Sequence, residues 1–405
     1  MLEFKLSIKN LLGAKLRTFL NLFVLSISFV VIILLNSLMD GWDDQAKKDS
    51  INWEYGYGHL INNNYDPLDP FTINDGHSKI PQGSENLLPI LVHQGSIYPK
   101  GRMINIKVNG TFPEQDLLKL PLNETLKSSS KYPVIIGKRF AESAGLEEGD
   151  DVLFRWRDKN GTYDANNVTI IKVFDSNVPT IDVGQFWISI NTLWEMTGHK
   201  DEATYFVANE SFIDKKFDGW TFRSQESLLK VITDLVSQKK IQQSIVYILL
   251  MGIALLAIFD TQVLSIFRRQ KEIGTLIALG MTRKRVVKLF TIEGSLYSIL
   301  AIVFGSIYGS PIFYLLYKNG FPVPPADQKV GIAISDFFYP LYSFKLVAGS
   351  IFLVYLAYKI AFSKNVKENT KENPVKFIET FFFQFLNPKG VIVAVSYTHL
   401  TLPTS

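Results

Sequence analysis

Two long apolar segments on either side of a short basic loop constrain this chain more than any other feature. They are Ile245–Phe267 and Ile292–Tyr317, and each exceeds the roughly 20 residues that a helix needs to cross a bilayer. The loop between them carries seven basic residues, which are Arg268, Arg269, Lys271, Arg283, Lys284, Arg285 and Lys288. Because short loops rich in lysine and arginine stay in the cytoplasm, the sequence predicts a cytoplasmic position for this loop.

Composition is consistent with membrane spans that flank a soluble region. The hydrophobic fraction of the 405 residues is 47%, and the apolar residues are concentrated in a few segments. The net charge of +4 is accounted for by the cytoplasmic loops and gives no indication of nucleic-acid binding. The absence of cysteine excludes disulfides and thiolate metal sites.

The N-terminus predicts a surface helix followed by a first span. Residues 1–18 alternate basic and apolar side chains, which indicates an amphipathic helix on the inner face of the membrane. Residues 19–38 form the span, with acidic Asp40, Asp43 and Asp44 after it, so the N-terminus is predicted to be cytoplasmic. The alternative, a cleaved signal peptide, is disfavoured because the segment is too long and lacks a small-residue cleavage site.

Residues 40–240 predict a large α+β domain outside the membrane. Strands are predicted at Ser96–Tyr98, Met103–Val108, Val134–Ile136, Val152–Trp156, Val168–Phe174, Phe186–Ile190 and Thr204–Val207. Helices are predicted at Pro113–Lys119, Lys138–Ala144 and Glu226–Ser237. The polar, proline-containing stretch Asn62–Pro81 predicts a loop.

No motif in this domain predicts catalysis or metal binding. Gly137-Lys138 lacks the upstream glycine and the following Ser or Thr of a phosphate loop. Four histidines, His59, His77, His93 and His199, show no zinc-ligand spacing. Asp66 and Asp69 depart from the calcium-loop pattern, and no nucleophile turn is present. The sequence therefore predicts neither catalytic nor metal-ligating residues, no cofactor and no enzyme.

The basic loop itself predicts a short amphipathic helix. Ile273, Leu276, Ile277 and Gly280 recur at helical spacing. A glycine such as Gly280 adopts the left-handed conformation that ends helices, and Thr282 can cap the next helix. From periodicity alone, a charged turn that only sets topology explains the loop equally well.

The basic loop contains the run E-I-G-x-L-x-A-L-G-x-x-R at Glu272–Arg283, and E-G follows at Glu293–Gly294. This pattern resembles the FtsX-like permease domain of ABC transporters. That family includes lipoprotein-releasing and macrolide-exporter (MacB–LolC) types. The resemblance covers about residues 6–343. It implies that 268–291 is a coupling helix and loop that docks on a cytoplasmic ABC ATPase. The implied contact residues are Arg269, Glu272, Ile273, Gly274, Leu279, Gly280 and Met281.

Pro133–Val152 resembles the periplasmic core domain of the same family. A strand is predicted to end at Gly137, a short helix to pack Phe140 and Ala144, and Gly149-Asp150 to turn into the next strand. These residues are predicted to have a structural role.

Two acidic residues lie within predicted spans, Asp260 in 245–267 and Glu293 in 292–317. Intramembrane carboxylates are expensive and by default indicate function. A structural or helix-pairing role is favoured for Asp260, because it lies two turns from Arg268 and Arg269.

The remaining chain predicts an external loop at 318–343 and a fourth span at 344–362. The segment 363–394 contains F-F-F-Q-F-L-N-P-K-G, which resembles the LysE-type amino-acid exporters. Residues 395–405 resemble translated sequencing adapter. The hypothesis is that about 344–394 was joined to a truncated permease by misassembly.

The predicted fold class is an α-helical transmembrane protein of about four spans with an inserted α+β domain. The predicted function is a bacterial inner-membrane permease subunit, in which a separate subunit binds ATP. Its expected partners are the ATPase, a second permease subunit, membrane lipid, and a lipoprotein, lipid or peptide substrate. A membrane-anchored regulator of a cell-wall hydrolase is the alternative. A secondary amino-acid exporter is suggested only by the tail.

Overall fold

The computed structural model describes residues 2–13, 15–212, 216–322, 335 and 337–342. They fall into two compact units. Of these described residues, the helical unit contains those within 1–40, 239–320 and 339–342, and the sheet domain contains those within 41–238 and 321–338.

The helices are α1 (Leu2–Gly13), α2 (Lys15–Ser50), α3 (Lys138–Ala144), α4 (Pro179–Asp182), α5 (Ile190–Thr197), α6 (Gln225–Arg268), α7 (Gln270–Ala278) and α8 (Arg283–Asn319). The strands are β1 (Gly58–Asn62), β2 (Ser78–Lys79), β3 (Leu87–Ile97), β4 (Ile104–Thr111), β5 (Pro133–Gly137), β6 (Asp151–Arg157), β7 (Tyr163–Phe174), β8 (Gln185–Ser189), β9 (Glu202–Ala203), β10 (Tyr205–Ala208), β11 (Trp220–Ser224), β12 (Phe321–Pro322) and β13 (Phe337–Phe338). A π-helical turn, Ile51–Tyr55, follows α2.

Two helices in the described part of the chain are long and apolar enough to cross a membrane, Thr18–Tyr55 and Ile292–Asn319. They contain the predicted spans 19–38 and 292–317. The predicted span 245–267 forms the C-terminal half of α6 but is not one of these two helices, and 344–362 lies outside the described residues. The predicted total of four spans is therefore not confirmed.

Small residues let α2 and α8 pack closely. A Cβ on Gly305 would lie 3.1 Å from Phe29, and one on Gly309 would lie 3.1 Å from Val30. The Tyr308 hydroxyl donates to Ser26 Oγ at 3.2 Å. Spacing of two glycines by four residues is a known device for close contact between membrane helices. Ser26 thus faces another helix.

The N-terminal helix is shorter than the predicted 1–18, because α1 ends at Gly13 and α2 begins at Lys15. Ser7 and Leu11 are buried, and Ser7 Oγ donates to the Leu289 carbonyl of α8 at 3.1 Å. On another face, Phe4, Ile8 and Leu12 are exposed at intervals of four residues. This exposed apolar stripe is what an interfacial helix requires.

The sheet domain is built on one nine-stranded sheet that closes on itself. Its order is β11-β1-β10-β3-β4-β8-β5-β7-β6, and β3 also pairs with β6. The long strand β3 makes closure possible, since Leu87–Ile90 pair with β10, while Leu91–Ile97 pair with β4 and Gly95–Ile97 with β6. The six strands β3, β4, β8, β5, β7 and β6, in sheet order, enclose a core. This core includes Phe154, Trp156 and Phe186, each at most 2% exposed. The α+β nature of this domain agrees with prediction.

The helix predicted at Pro113–Lys119 is wrong. The segment forms turns, in which the Gln115 side chain accepts from the Leu118 amide at 2.7 Å and donates to the Leu118 carbonyl at 3.0 Å. A side chain that bonds nearby backbone competes with helical hydrogen bonding. Lys119 instead donates its amide to the Asn52 carbonyl.

Candidate coupling site and domain cleft

The coupling segment is the loop that joins α6 to α8 and contains α7. Helix α7 ends at Ala278, and Gly280, with a left-handed φ of 93°, terminates it as predicted. The Gly280 amide donates to the Ile277 carbonyl at 3.0 Å and the Met281 amide to the Leu276 carbonyl at 2.9 Å. These two bonds form a Schellman motif, which satisfies the last carbonyls of the helix. Thr282 is the N-cap of α8, but its side chain makes no capping hydrogen bond.

Arg269 fastens this segment to α8. Its Nε donates to Glu272 at 2.9 Å, and its terminal nitrogen lies 3.5 Å from Glu293. The guanidinium also lies over the Phe290 ring, 5.6 Å from its centroid. Glu293 is only 2% exposed. A buried carboxylate held by arginine fixes the two helices relative to each other, because separating the charges would leave one of them desolvated.

The apolar side of α7 is partly uncovered. In Gln270–Ala278, which is described throughout, no residue is buried. Ile277 is 42% exposed and Leu279, just after the helix, is 79% exposed. Gly274 has open space where a Cβ would stand. An amphipathic helix with exposed apolar residues has the form that helix-in-groove recognition uses.

The predicted site residues thus fall into two groups. The structure brings Arg269, Glu272 and Glu293 together, and it leaves Gly274, Leu279 and Gly280 on the open loop. Ile273 and Met281 are half-buried. Asp260 lies in α6, and its side chain lies outside the described residues.

The sheet domain contains a wide cleft of about 1360 Å³. Its lining combines aromatic, polar and charged side chains, among them Glu54, His59, Tyr65, Lys107 and Tyr205. Leu68 on the same lining is 92% exposed. A cleft with an apolar wall and a few polar groups can hold an amphipathic ligand. Sequence analysis did not identify it, because the lining comes from strands and loops distant in the chain.

Burial shifts the pKa values of two titratable groups at this cleft in opposite directions. Burial raises the pKa of Glu54 to about 7, partly offset by its hydrogen bond from Thr180 and by Lys107. Burial lowers the pKa of His59 to about 4. The His59 Nε2–H donates to the Glu54 carbonyl, with the atoms 2.9 Å apart. Glu54 follows the 36-residue helix α2 by four positions, so it lies well past the predicted span 19–38.

Replacing Glu54 by glutamine is expected to stabilise the sheet domain at alkaline pH and not at acid pH. The carboxyl pKa is about 7 when folded against 4.5 otherwise. The folded state therefore favours the protonated Glu54 carboxyl. The stability that this preference contributes is complete below pH 4.5 and is lost as the pH rises through 7. After a discount for partial exposure, the gain in Glu54→Gln at pH 8 is about 1–2 kcal/mol. Denaturant unfolding at pH 5 and pH 8 measures it.

The exposed Glu142 provides the control for that experiment, because Glu142→Gln removes the same charge from the same domain. A gain in Glu54→Gln that is equal at both pH values would contradict the raised pKa.

A second group of titratable residues in the sheet domain was missed by sequence analysis. His77 and His199 both direct Nδ1 at one oxygen of Glu202, at 2.8 and 3.0 Å. His77 is 125 residues from Glu202, so no local spacing could reveal the cluster. The pairing of β2 with β9 brings them together.

In chain order, the exposed helix α7 lies between two long helices, α6 and α8, and α8 contains a segment long and apolar enough to cross a membrane. Residues 244–368 match the family model of the FtsX-like permease C-terminal domain. This confirms the recognition of an FtsX-like permease for that part of the chain. The match includes the first part of the segment 344–394, whose separate origin stays a hypothesis.

Among solved structures, the extracellular domain of the noncanonic ABC-type transporter YknZ from Gram-positive bacteria is similar over 38% of this chain and 83% of its own, with 16% identity and a TM-score of 0.24. A similarity this low supports no argument. Comparison with curated proteins gives no match.

Proposed function

We propose that this protein is the permease subunit of an ABC transporter that converts ATP-driven movement of a cytoplasmic ATPase into movement of the sheet domain. The substrate class that fits is a lipoprotein, lipid or peptide at the outer face of the membrane. The proposal includes a cytoplasmic N-terminus, an extracytoplasmic sheet domain, and a second permease subunit as partner.

The observation that carries the proposal is the construction of the coupling segment. It joins an uncovered apolar surface at Ile277 and Leu279 to a buried charge contact at Glu293, through Arg269. A surface of this kind is suited to dock in a groove of the ATPase. The charge contact is suited to pass the movement to α8 as a rigid body. A turn that only set topology would need neither feature.

Movement reaches the sheet domain along α6, which runs without interruption from Gln225 to Arg268. A helix of 44 residues is about 66 Å long at 1.5 Å per residue, which exceeds a hydrocarbon core of about 30 Å. The cleft with its exposed Leu68 supports an amphipathic substrate. Which of the three substrate classes applies is a matter for extraction assays with vesicles.

Replacing Leu279 by aspartate is expected to weaken binding of the cognate ATPase about 10- to 100-fold, because burial of one leucine contributes about 1.5–3 kcal/mol. The side chain is 79% exposed, so the permease itself should fold normally. Affinity is measured between the detergent-solubilised permease and the purified ATPase, and stimulated ATP hydrolysis is measured in vesicles.

The matched control is Leu126→Asp, since Leu126 is 56% exposed and belongs to the sheet domain. Unchanged affinity in Leu279→Asp would show that the ATPase does not dock here. Intact ATPase coupling without any ATP-dependent extraction of lipid or lipoprotein would favour the hydrolase regulator instead.

A further inference from the structure

We propose that His77, His199 and Glu202 form a binding site for a divalent transition-metal ion, with Zn²⁺ as the best fit. The site lies in the sheet domain and is independent of the proposed coupling function. Two imidazoles and one carboxylate are a known zinc ligand set that leaves a fourth position open.

The backbone holds the three residues in place. His77 directly precedes β2, and Glu202 is the first residue of β9. The two strands pair antiparallel, with Lys79 opposite Glu202. His199 follows Gly198, which ends α5 in the left-handed conformation at φ 76°. Secondary structure on both sides therefore fixes the ligands, which is what a preorganised site requires.

The distances between ligand atoms are close to those of a metal site. The three atoms lie within 4.8 Å of one another, and the two N···O separations are 2.8 and 3.0 Å. Ligands about 2.0–2.1 Å from a tetrahedral zinc are about 3.3 Å apart. The two N···O separations need to widen by only a few tenths of an ångström to match this value.

The hydrogen bond on the far side of His77 gives an independent reason. Its Nε2 lies 2.9 Å from the Asn74 carbonyl oxygen. A carbonyl only accepts, so Nε2 carries a proton, and this hydrogen bond orients the ring with Nδ1 directed at Glu202. An imidazole oriented by a backbone carbonyl is also the usual outer arrangement around protein-bound zinc.

The cluster is accessible, yet mostly shielded from water. The side chains of His77, His199 and Glu202 are 11%, 13% and 22% exposed. Trp194 is a fluorescent reporter next to the cluster, because its Nε1 donates to the Glu202 backbone carbonyl at 2.9 Å. A bound ion would join the segment before β2 to the α5–β9 connection and so stabilise the sheet domain by mass action.

The experiment uses the full chain in detergent, without a polyhistidine tag and after removal of metals by a chelator. Zn²⁺ is expected to bind with one equivalent per chain and to raise the Tm followed by tryptophan fluorescence. All six tryptophans belong to the sheet domain, so the signal reports on that domain alone. Co²⁺ is expected to give the visible absorption bands of a tetrahedral site.

His77→Ala and Glu202→Gln are expected to lower Zn²⁺ affinity more than about 100-fold, since even outer-shell changes lower it about 10–100-fold. Glu195→Gln is the matched control, because Glu195 is an exposed carboxylate on α5. If Zn²⁺ binds the unaltered chain no better than the His77→Ala variant, or Co²⁺ gives no tetrahedral bands, the three side chains only hydrogen-bond one another and the proposal is overturned.

Discussion

Replacing Gly137 by alanine is expected to destabilise the sheet domain by about 3–5 kcal/mol, which is the range for disrupting a buried ion pair. A Cβ there would lie 1.6 Å from Asp182 Oδ1 and 2.7 Å from Asp182 Cα. Asp182 is fully buried and accepts from the Arg139 guanidinium at 2.8 Å. To admit the methyl group, the carboxylate must leave Arg139. The Tm should fall by roughly 10 °C, at about 2–4 °C per kcal/mol.

The control separates steric from conformational effects. Gly137 has φ −77° and ψ 154°, which alanine adopts freely, so only the close approach of Asp182 opposes the substitution. Gly149 has φ 95° with nothing within 4 Å of a Cβ. Gly149→Ala should therefore cost only the free energy of placing an alanine in the left-handed conformation, about 1–2 kcal/mol. Tryptophan fluorescence of the full chain follows both. An equal loss in the two variants would refute the steric account.

The segment around Gly137 shows how far local sequence patterns reach. The predicted strand, helix and turn correspond to β5, α3 and the start of β6, because each is specified by neighbours within a few residues. The sequence did not reveal why position 137 is glycine, since Asp182 lies 45 positions away. Helix α5 was missed for a related reason. The apolar run Phe186–Ile190 indicates one strand, but β8 ends at Ser189 and the chain continues as helix.

Strand β3 was mostly missed because its pattern is not that of a half-buried strand. Seven consecutive residues, Leu87–His93, are buried, since both faces are covered where the sheet closes. Such a run lacks the alternation that predicts strands. His93 is satisfied there by bonding to the Arg157 carbonyl. The faces of β3 are covered by segments far away in the chain, among them α5 and the turn Pro70–Ile73, which contact β3, and no local window contains them.

The two functional clusters differ in how much of them the sequence could predict. The termination of α7 by Gly280 depends on one glycine and was predicted correctly. The contact between Arg269 and Glu293 spans 24 residues, and a basic loop beside a span does not indicate which arginine is buried. The cluster of His77, His199 and Glu202 depends on the pairing of β2 with β9, two strands of two residues each. Strands this short leave no pattern in the sequence.

Replacing Arg269 by alanine is expected to reduce permease-stimulated ATP hydrolysis about 10- to 100-fold, while the ATPase still binds. Hydrogen bonds to charged groups contribute about 1.5–3 kcal/mol, and each 1.4 kcal/mol corresponds to about tenfold. The Arg269 side chain contacts Glu272, Glu293 and the Phe290 ring. Its backbone carbonyl accepts from the Ile273 amide, and alanine keeps that bond. Helix α7 should therefore persist but lose its attachment to α8.

Arg268→Ala is the control, because it removes the same charge from the adjacent, exposed residue. Reconstituted ATP hydrolysis and ATPase affinity are measured for both variants. If the loop acts only through its positive charge, the two variants must behave alike, and the coupling assignment fails. If Arg269→Ala loses stimulation and Arg268→Ala does not, the effect belongs to the buried contact. Glu293→Gln should then lie between Arg269→Ala and the unaltered chain, because glutamine keeps an acceptor for Arg269 but removes the charge that Arg269 balances.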